Sequence, residues 1–234
     1  MSKVAVTAPS VFSESPSFML PGPAGVLEAA SALPAPSDAR RGSAIICHPH
    51  SQHGGTMHNK VVTIIERSLR ELGLANVTFN FRGVGASTGS YDDGRGETDD
   101  LLAVAEWVRR VRSGDALWLA GFSFGSYVAA RAVEPLQPAQ LISVAPPVNR
   151  WEFGALQAPS CPWLVIQGEA DDVVEPAAVF AFVEAQQAPP TLVRMPETGH
   201  FFHRRLMDLR GAIKNGVRAN LPPPAGPASP AAHG

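Results

Sequence analysis

The sequence is poor in the features that mark several large classes of protein. Its 234 residues contain two cysteines, Cys47 and Cys161. Two are too few for a disulfide framework, and we expect both to be buried, reduced thiols. The formal net charge is −2 and no stretch is strongly basic, which argues against nucleic acid as a partner. No apolar run is long enough to span a membrane.

The two ends of the chain lack the periodic apolar residues of helices and strands. Residues 1–15 are rich in Ser, Pro and Ala, which predicts a flexible N-terminal arm. Residues 221–234 are rich in Pro, Ala and Gly, which predicts a disordered tail. A single domain is therefore expected over 16–220. The N-terminus has no sustained apolar segment of the kind found in signal peptides, so the cytoplasm is the expected compartment.

Strands and helices alternate through the rest of the sequence. Short apolar runs predict strands, and apolar residues at helical spacing predict helices between them. The predicted strands are 17–20, 26–32, 43–47, 74–81, 116–120, 140–145, 163–167 and 191–195, and the predicted helices are 59–72, 97–112, 126–133, 176–187 and 202–219. Such alternation predicts an α/β fold with a mostly parallel central sheet covered by helices on both faces.

One stretch combines a predicted strand, a sharp turn and a predicted helix around a serine. It reads Gly121-Phe-Ser123-Phe-Gly125 and follows the spacing Gly-x-Ser-x-Gly. In a turn this tight, the positions two before and two after the serine have no room for a side chain, and glycine provides that space. The pattern therefore predicts that Ser123 is a nucleophile exposed at the carboxyl edge of the sheet.

A serine nucleophile needs a base to accept its proton and an acid to orient that base. His200 follows the last predicted strand, and Asp171 follows the strand before it. Both therefore lie at the same sheet edge as Ser123, and the chain order Ser, Asp, His is the one expected of α/β-hydrolases. Asp172 and His203 are weaker candidates for the same two roles. His203 falls at or inside the final predicted helix.

An oxyanion site requires two backbone N–H groups aimed at the tetrahedral intermediate. One is expected from Phe124, the residue after the nucleophile. The other should come from the loop after the 43–47 strand, where His50 is the first candidate and Ser51 the second. Pro49 has no N–H and is excluded.

The same loop is rich in histidine, which raises the possibility of a metal site. His48, His50, His53 and His58 lie in this loop, but no Asp or Glu interrupts the run. A serine nucleophile would also be redundant in a metal enzyme, so we expect no metal. The other interpretation is that some of these histidines hydrogen-bond the loop backbone and stiffen it.

A glycine-rich loop follows the 74–81 strand. This loop, 82–87, does not match a phosphate-binding pattern, so no nucleotide or other cofactor is expected. Arg82 could contact an acidic substrate, but we favour a role in holding the loop in shape through hydrogen bonds to carbonyls and carboxylates.

These motifs together resemble the α/β-hydrolase superfamily over about residues 18–219. The chain looks most like small lidless bacterial serine hydrolases related to dienelactone hydrolases and simple carboxylesterases. The resemblance implies Ser123 as nucleophile, Asp171 as acid and His200 as base, with backbone donors near His50 and at Phe124. Two departures stand out, because dienelactone hydrolases proper have cysteine where this chain has Ser123, and many superfamily members have glycine where it has Pro49.

The resemblance also bears on substrate access and on the reaction. The segment 146–161 is too short to form the cap domain of many superfamily members, so we expect an open site. Trp151 and Phe153 in this segment could line an acyl-binding rim or pack on the core, and Ser51 of the histidine-rich loop is a further possible substrate-lining residue.

The expected activity is hydrolysis of small or short-acyl carboxylic esters through an acyl-enzyme, with a small-molecule ester as the only implied partner. The same groups would serve a thioesterase, a peptidase or an acyltransferase, and a non-catalytic binding module could share the fold. The sequence does not specify an oligomeric state.

Overall fold

A computed structural model describes residues 7–151, 153, 156 and 159–226. The strands are β1 (Ser15–Gly22), β2 (Gly25–Ala32), β3 (Gly42–Cys47), β4 (Ala75–Phe79), β5 (Ala116–Phe122), β6 (Gln140–Val144), β7 (Trp163–Gly168) and β8 (Thr191–Met195). The helices are α1 (Lys60–Glu71), α2 (Arg95–Val111), α3 (Phe124–Arg131), α4 (Val133–Leu136), α5 (Pro176–Glu184) and α6 (Leu206–Gly216). Short 3₁₀ turns cover Ser51–His53 and Arg218–Asn220.

The strands form one eight-stranded sheet in the order β1-β2-β4-β3-β5-β6-β7-β8. Strand β2 pairs antiparallel with β1 and with β4, and all other neighbours are parallel. The predicted fold class is therefore confirmed. Because β3 to β8 run in one direction, the loops that follow them emerge at one edge of the sheet, where ligands bind in open α/β sheets.

Helices cover both faces of the sheet, and successive strand residues point to opposite faces. In β3, for example, Ile45 belongs to the apolar cluster under α2, α3 and α5, and Ile46 belongs to the cluster under α1 and α6. This alternation explains why the buried strands read as continuous apolar runs in the sequence. Among the described residues, no helix combines the length and the apolar composition needed to cross a membrane.

Two helices differ from their predicted limits for a local reason. Helix α3 begins at Phe124, directly after the serine of the turn, rather than at Ser126. The last helix begins at Leu206 rather than at Phe202, because Phe202 and Arg204 have φ angles of 52° and 60°. These left-handed conformations cannot be part of a right-handed helix.

The segments on either side of the expected domain pack against it where the structure describes them. Phe12 is buried and stacks on Trp107 of α2, whose indole Nε1 donates to the Pro9 carbonyl at 2.8 Å. At the other end, the Arg41 N–H donates to the Pro223 carbonyl and the Ala225 N–H to the Ala39 carbonyl. We propose that the folded domain extends beyond 16–220 at both ends; residues 1–6 and 227–234 lie outside the described residues.

The packing of Phe12 predicts a measurable loss of stability when its ring is removed. We expect Phe12→Ala to lower the free energy of unfolding by about 2 kcal/mol, because an aromatic side chain leaves an apolar site at the edge of the core. The matched control is Val11→Ala, whose side chain is 69% exposed and whose effect should stay within about 0.5 kcal/mol. Urea unfolding followed by tryptophan fluorescence measures both. Equal values for the two variants would mean that the arm is not docked.

Candidate active site

The turn at Ser123 has the strained geometry that the sequence predicts. Ser123 has φ 53° and ψ −122°, and its N–H donates to the Val144 carbonyl of β6 at 2.8 Å. A Cβ atom at Gly121 would lie 2.2 Å from the Gly125 carbonyl oxygen. A Cβ at Gly125 would lie 2.3 Å from the Cys47 carbonyl oxygen. Both positions therefore require glycine, and the turn holds the Ser123 side chain at the carboxyl edge of the sheet.

A continuous hydrogen-bond chain links Ser123 to two other side chains. Ser123 Oγ lies 3.1 Å from His200 Nε2, and His200 Nδ1 lies 2.9 Å from Asp171 Oδ2. His200 and Asp171 are both buried, whereas the alternatives Asp172 and His203 are exposed. The geometry therefore favours Asp171 and His200 over their sequence neighbours.

The carboxylate of Asp171 has a hydrogen-bond partner on every side. Its Oδ1 accepts from the N–H groups of Val173 and Val174, and its Oδ2 accepts from Gln167 Nε2 at 3.0 Å as well as facing His200. Burial by itself raises the pKa of this carboxyl, but the hydrogen bonds from His200, Val174 and Val173 outweigh it and the pKa is lowered. Asp171 is thus held as an anion facing the imidazole.

Gln167 is the residue of this group that the sequence analysis missed. It is fully buried near the end of β7, and its amide also donates to the Gly168 carbonyl. The sequence did contain a signal for this role, because Gln167 is a polar residue within the apolar strand Trp163–Gly168. A buried amide needs hydrogen-bond partners, and a neighbouring site residue is one such partner.

The expected oxyanion donors lie on adjoining segments. Phe124 is the first residue of α3, so its N–H has no carbonyl partner within the helix. The imidazole of His50 packs against the rings of Phe124, Tyr91 and Trp151, with centroids 5.0, 4.8 and 5.4 Å away. This packing places the His50 backbone beside the start of α3. Ser51 lies outside the lining of the pocket at Ser123, and its Oγ is buried without a hydrogen-bond partner among the described residues.

His48 fixes the loop that carries His50. It is fully buried, its Nδ1 donates to the Pro49 carbonyl at 2.6 Å, and its Nε2 accepts from the Phe81 N–H at 3.0 Å. Burial lowers the pKa of His48 to about 4, and the hydrogen bond to Pro49 opposes this only in part. His48 is therefore a neutral tie between two loops, which agrees with the second interpretation of the histidine-rich run.

Both ring nitrogens of His48 are occupied by protein groups, so it has no lone pair for a metal. In the part of the chain that the structure describes, no three His, Cys, Asp or Glu side chains converge as a metal site.

Arg82 also has a structural partner. Its guanidinium donates from Nη2 to Asp100 Oδ1 at 2.8 Å and from Nε to Oδ2 at 3.1 Å, and its backbone N–H donates to the same carboxylate. This forked pair ties the 82–87 loop to α2, as the favoured interpretation expects.

A pocket of about 330 Å³ opens beside Ser123. Its described lining residues come from the segments that follow five strands, β3, β5, β6, β7 and β8, and are Pro49, His50, His53, Gly54, Gly55, Asn59, Ser123, Pro147, Arg150, Trp151, Val173, Val174, His200 and Phe201. Trp151 thus lines the pocket. Phe153 is not a lining residue: of the two positions that the sequence left open, rim and core, its ring takes the core, where it is buried between Tyr127, Trp163 and Phe182.

Comparisons with known proteins place this geometry in a family. A lidless α/β serine hydrolase of Xanthomonas campestris is 56% identical, with a TM-score of 0.89 over 92% of this chain and 99% of that one. The chain belongs to the lidless α/β serine hydrolases. An α/β serine hydrolase homologue of Coxiella burnetii is 47% identical, with a TM-score of 0.86 over 89% of this chain and all of that one.

An uncharacterised protein of Rickettsia prowazekii is 32% identical over 182 residues, which are 74% of this chain and 76% of that protein. No protein-family model matches the sequence. Family membership supports hydrolase chemistry at this pocket and agrees with the absence of a cap expected from the short 146–161 segment.

The buried neutral state of His48 predicts a stability that depends on pH. Its pKa is 6.5 when unperturbed and about 4 in the fold. The unfolded chain therefore binds more protons between these values, and stability is full above pH 6.5 and falls toward pH 4. Between pH 7 and pH 5 this group should cost roughly 2 kcal/mol of unfolding free energy.

The measurement is urea unfolding of the wild type, of His48→Gln and of His58→Gln at both pH values. His58 is an exposed histidine of the same loop. The pH-dependent loss should shrink by about 2 kcal/mol in His48→Gln and stay unchanged in His58→Gln. An unchanged loss in His48→Gln would show that His48 is not held neutral.

Proposed function

We propose that the protein hydrolyses carboxylic esters with small or short acyl groups, using Ser123, His200 and Asp171 as a catalytic triad. The observation that carries the proposal is the unbroken hydrogen-bond chain from Ser123 Oγ through His200 to Asp171. Serine is a weak nucleophile without such a base, and a buried, oriented imidazole supplies one.

Acylation begins with attack of Ser123 Oγ on the ester carbonyl carbon. His200 Nε2 accepts the serine proton, and the Asp171 anion stabilises the imidazolium and keeps Nδ1 protonated. In this mechanism the carbonyl oxygen becomes negatively charged and accepts hydrogen bonds from the N–H groups of Phe124 and His50. His200 then donates its proton to the alcohol oxygen, the ester C–O bond breaks, and the acyl group stays on Ser123.

Deacylation repeats these steps with water as the nucleophile. His200 Nε2 accepts a proton from the water, whose oxygen attacks the acyl carbonyl carbon. The tetrahedral intermediate uses the same backbone donors, and collapse returns the proton to Ser123 Oγ and releases the acid. The pocket is open beside Phe201, which is 49% exposed, so water reaches the site without movement of a cap.

The pocket supports a small acyl group on grounds of size. Its volume of about 330 Å³ lies at the lower end of the range of roughly 300–1,000 Å³ that is typical of small-molecule sites. Val173, Val174 and Trp151 provide apolar surface for a short acyl chain within it.

Replacement of the proposed nucleophile tests the reaction class. We expect Ser123→Ala to lower kcat for p-nitrophenyl pentanoate by on the order of a thousandfold or more, because the acyl-enzyme cannot form. A fluorophosphonate probe should add one adduct to the wild type and none to Ser123→Ala, as read by intact mass. Full activity in Ser123→Ala, or folded wild type without an adduct, would refute the proposal. Abolition of activity by EDTA would point to metal chemistry.

Gln167 offers a test of the Asp171 geometry without touching the triad. We expect Gln167→Leu to lower kcat on the order of tenfold while KM changes little, because Asp171 loses a hydrogen bond that fixes it toward His200. The matched control is Gln140→Leu, a buried glutamine on the neighbouring strand whose amide donates to the Leu141 and Pro162 carbonyls.

Both substitutions should lower stability, but only Gln167→Leu should change kcat and the pH profile of kcat. Equal kinetic effects in the two variants would assign Gln167 a purely structural role.

A further inference from the structure

The described residues that line the pocket at Ser123 include basic groups and no carboxylate. Arg150, His50 and His53 line it, and none of the described lining residues is Asp or Glu. The triad carboxylate, Asp171, lies behind His200 and outside this lining. The described lining of the pocket is therefore able to donate hydrogen bonds to an anion, and it contains no carboxylate that would repel one.

The position of Arg150 is set by the core rather than by solvent. Its N–H donates to the Pro147 carbonyl at 2.9 Å, and its carbonyl accepts from the Phe153 N–H at 3.1 Å. Phe153 is buried, and Trp151 stacks on Tyr127 with 5.9 Å between ring centroids. Two aromatic anchors thus fix the backbone on which the exposed Arg150 side chain stands.

Arg150 also acts electrostatically on His50, another residue of the pocket lining. Burial and the nearby His53 and Arg150 lower the pKa of His50, and Asp93 opposes them. The side chain of Arg150 is thus close enough to influence the imidazole that packs beside Phe124. Arg150 and Ser123 line the same pocket.

The pocket lining also contains apolar side chains from other loops. Val173 and Val174 follow β7, and Phe201 follows β8, whereas the basic residues follow β3 and β6. Val173 and Phe201 are 41% and 49% exposed, although large apolar side chains are usually covered. The pocket lining therefore combines basic and apolar side chains around Ser123.

We propose that the substrate of this site is an ester that carries a carboxylate or phosphate group, which Arg150 and His53 bind while its apolar part lies on Val173 and Phe201. The inference rests on the proposed ester hydrolysis and adds the charge of the substrate to it. A guanidinium pairs with either anion through two parallel N–H···O bonds, which a neutral ester cannot accept.

Two matched substrate pairs test the proposal. Mono-p-nitrophenyl glutarate and p-nitrophenyl pentanoate have five-carbon acyl groups and differ in a terminal carboxylate. 4-Acetoxybenzoate and phenyl acetate place the carboxylate on the alcohol side instead. We expect kcat/KM for the anionic member of one pair, corrected for its rate with hydroxide, to exceed that of its neutral partner on the order of tenfold at low salt. The preference should fall as ionic strength rises.

Charge variants assign the preference to Arg150. Arg150→Gln should remove the preference for the anion through KM, so that kcat/KM falls on the order of tenfold more for the anionic ester than for the neutral ester. Arg150→Lys should retain part of the preference for the anionic ester. Arg218→Gln, the matched control, removes the same charge from an exposed residue outside the pocket lining and should change neither ester.

Inhibitors separate the two anions. Benzoate, phenyl phosphate and neutral benzyl alcohol compete with p-nitrophenyl pentanoate, and the more potent anion identifies the preferred group. The inference is overturned if neither substrate pair shows a preference for the anion, or if Arg150→Gln changes neutral and anionic esters equally. In both cases turnover of neutral esters by Ser123 would still stand. Loss of all ester turnover, with no adduct at Ser123, would instead refute the proposed function.

Discussion

The close approach of helix α3 to strand β3 is the contact on which the site depends. Gly125 faces the carbonyl oxygens of Cys47 and His48, which lie 2.3 and 2.5 Å from the position that a Cβ would take. This approach brings the N-terminus of the helix beside the loop that follows β3. A side chain at Gly125 would separate the Phe124 N–H from His50 and tilt the turn that carries Ser123. The absence of a side chain at Gly125 therefore allows the two proposed oxyanion donors to lie close together.

Residues outside the pocket hold the proposed reacting groups in place. His48 ties the β3 loop to Phe81, the forked pair of Arg82 and Asp100 ties the neighbouring loop to α2, and Gln167 steadies Asp171. Each contact joins groups that are buried or half-buried, where an unpaired polar group is costly. The precision of the site is thus a property of its supporting shell as much as of the triad.

The sequence predicted the fold and the candidate triad because both depend on local patterns. Apolar periodicity predicted the strands and helices. The Gly-x-Ser-x-Gly turn and the chain order of Ser123, Asp171 and His200 predicted the edge of the sheet at which the site lies. What it missed depends on distant partners. Phe12 is buried only because Trp107 offers a ring to stack on. Trp151 and Phe153 lie two residues apart in an irregular loop, where no periodicity says which ring faces the pocket and which the core.

Residues 221–226 dock at the opposite end of strand β3 from the pocket. Pro223 and Ala225 bond to residues 39–41, just before β3 begins at Gly42, whereas the pocket lies beyond the end of the same strand. Six extended residues place about 20 Å of sheet between them. A resin or sensor surface attached directly after residue 226 would therefore bind the molecule on the side opposite the pocket. Substrates in solution would still reach the pocket.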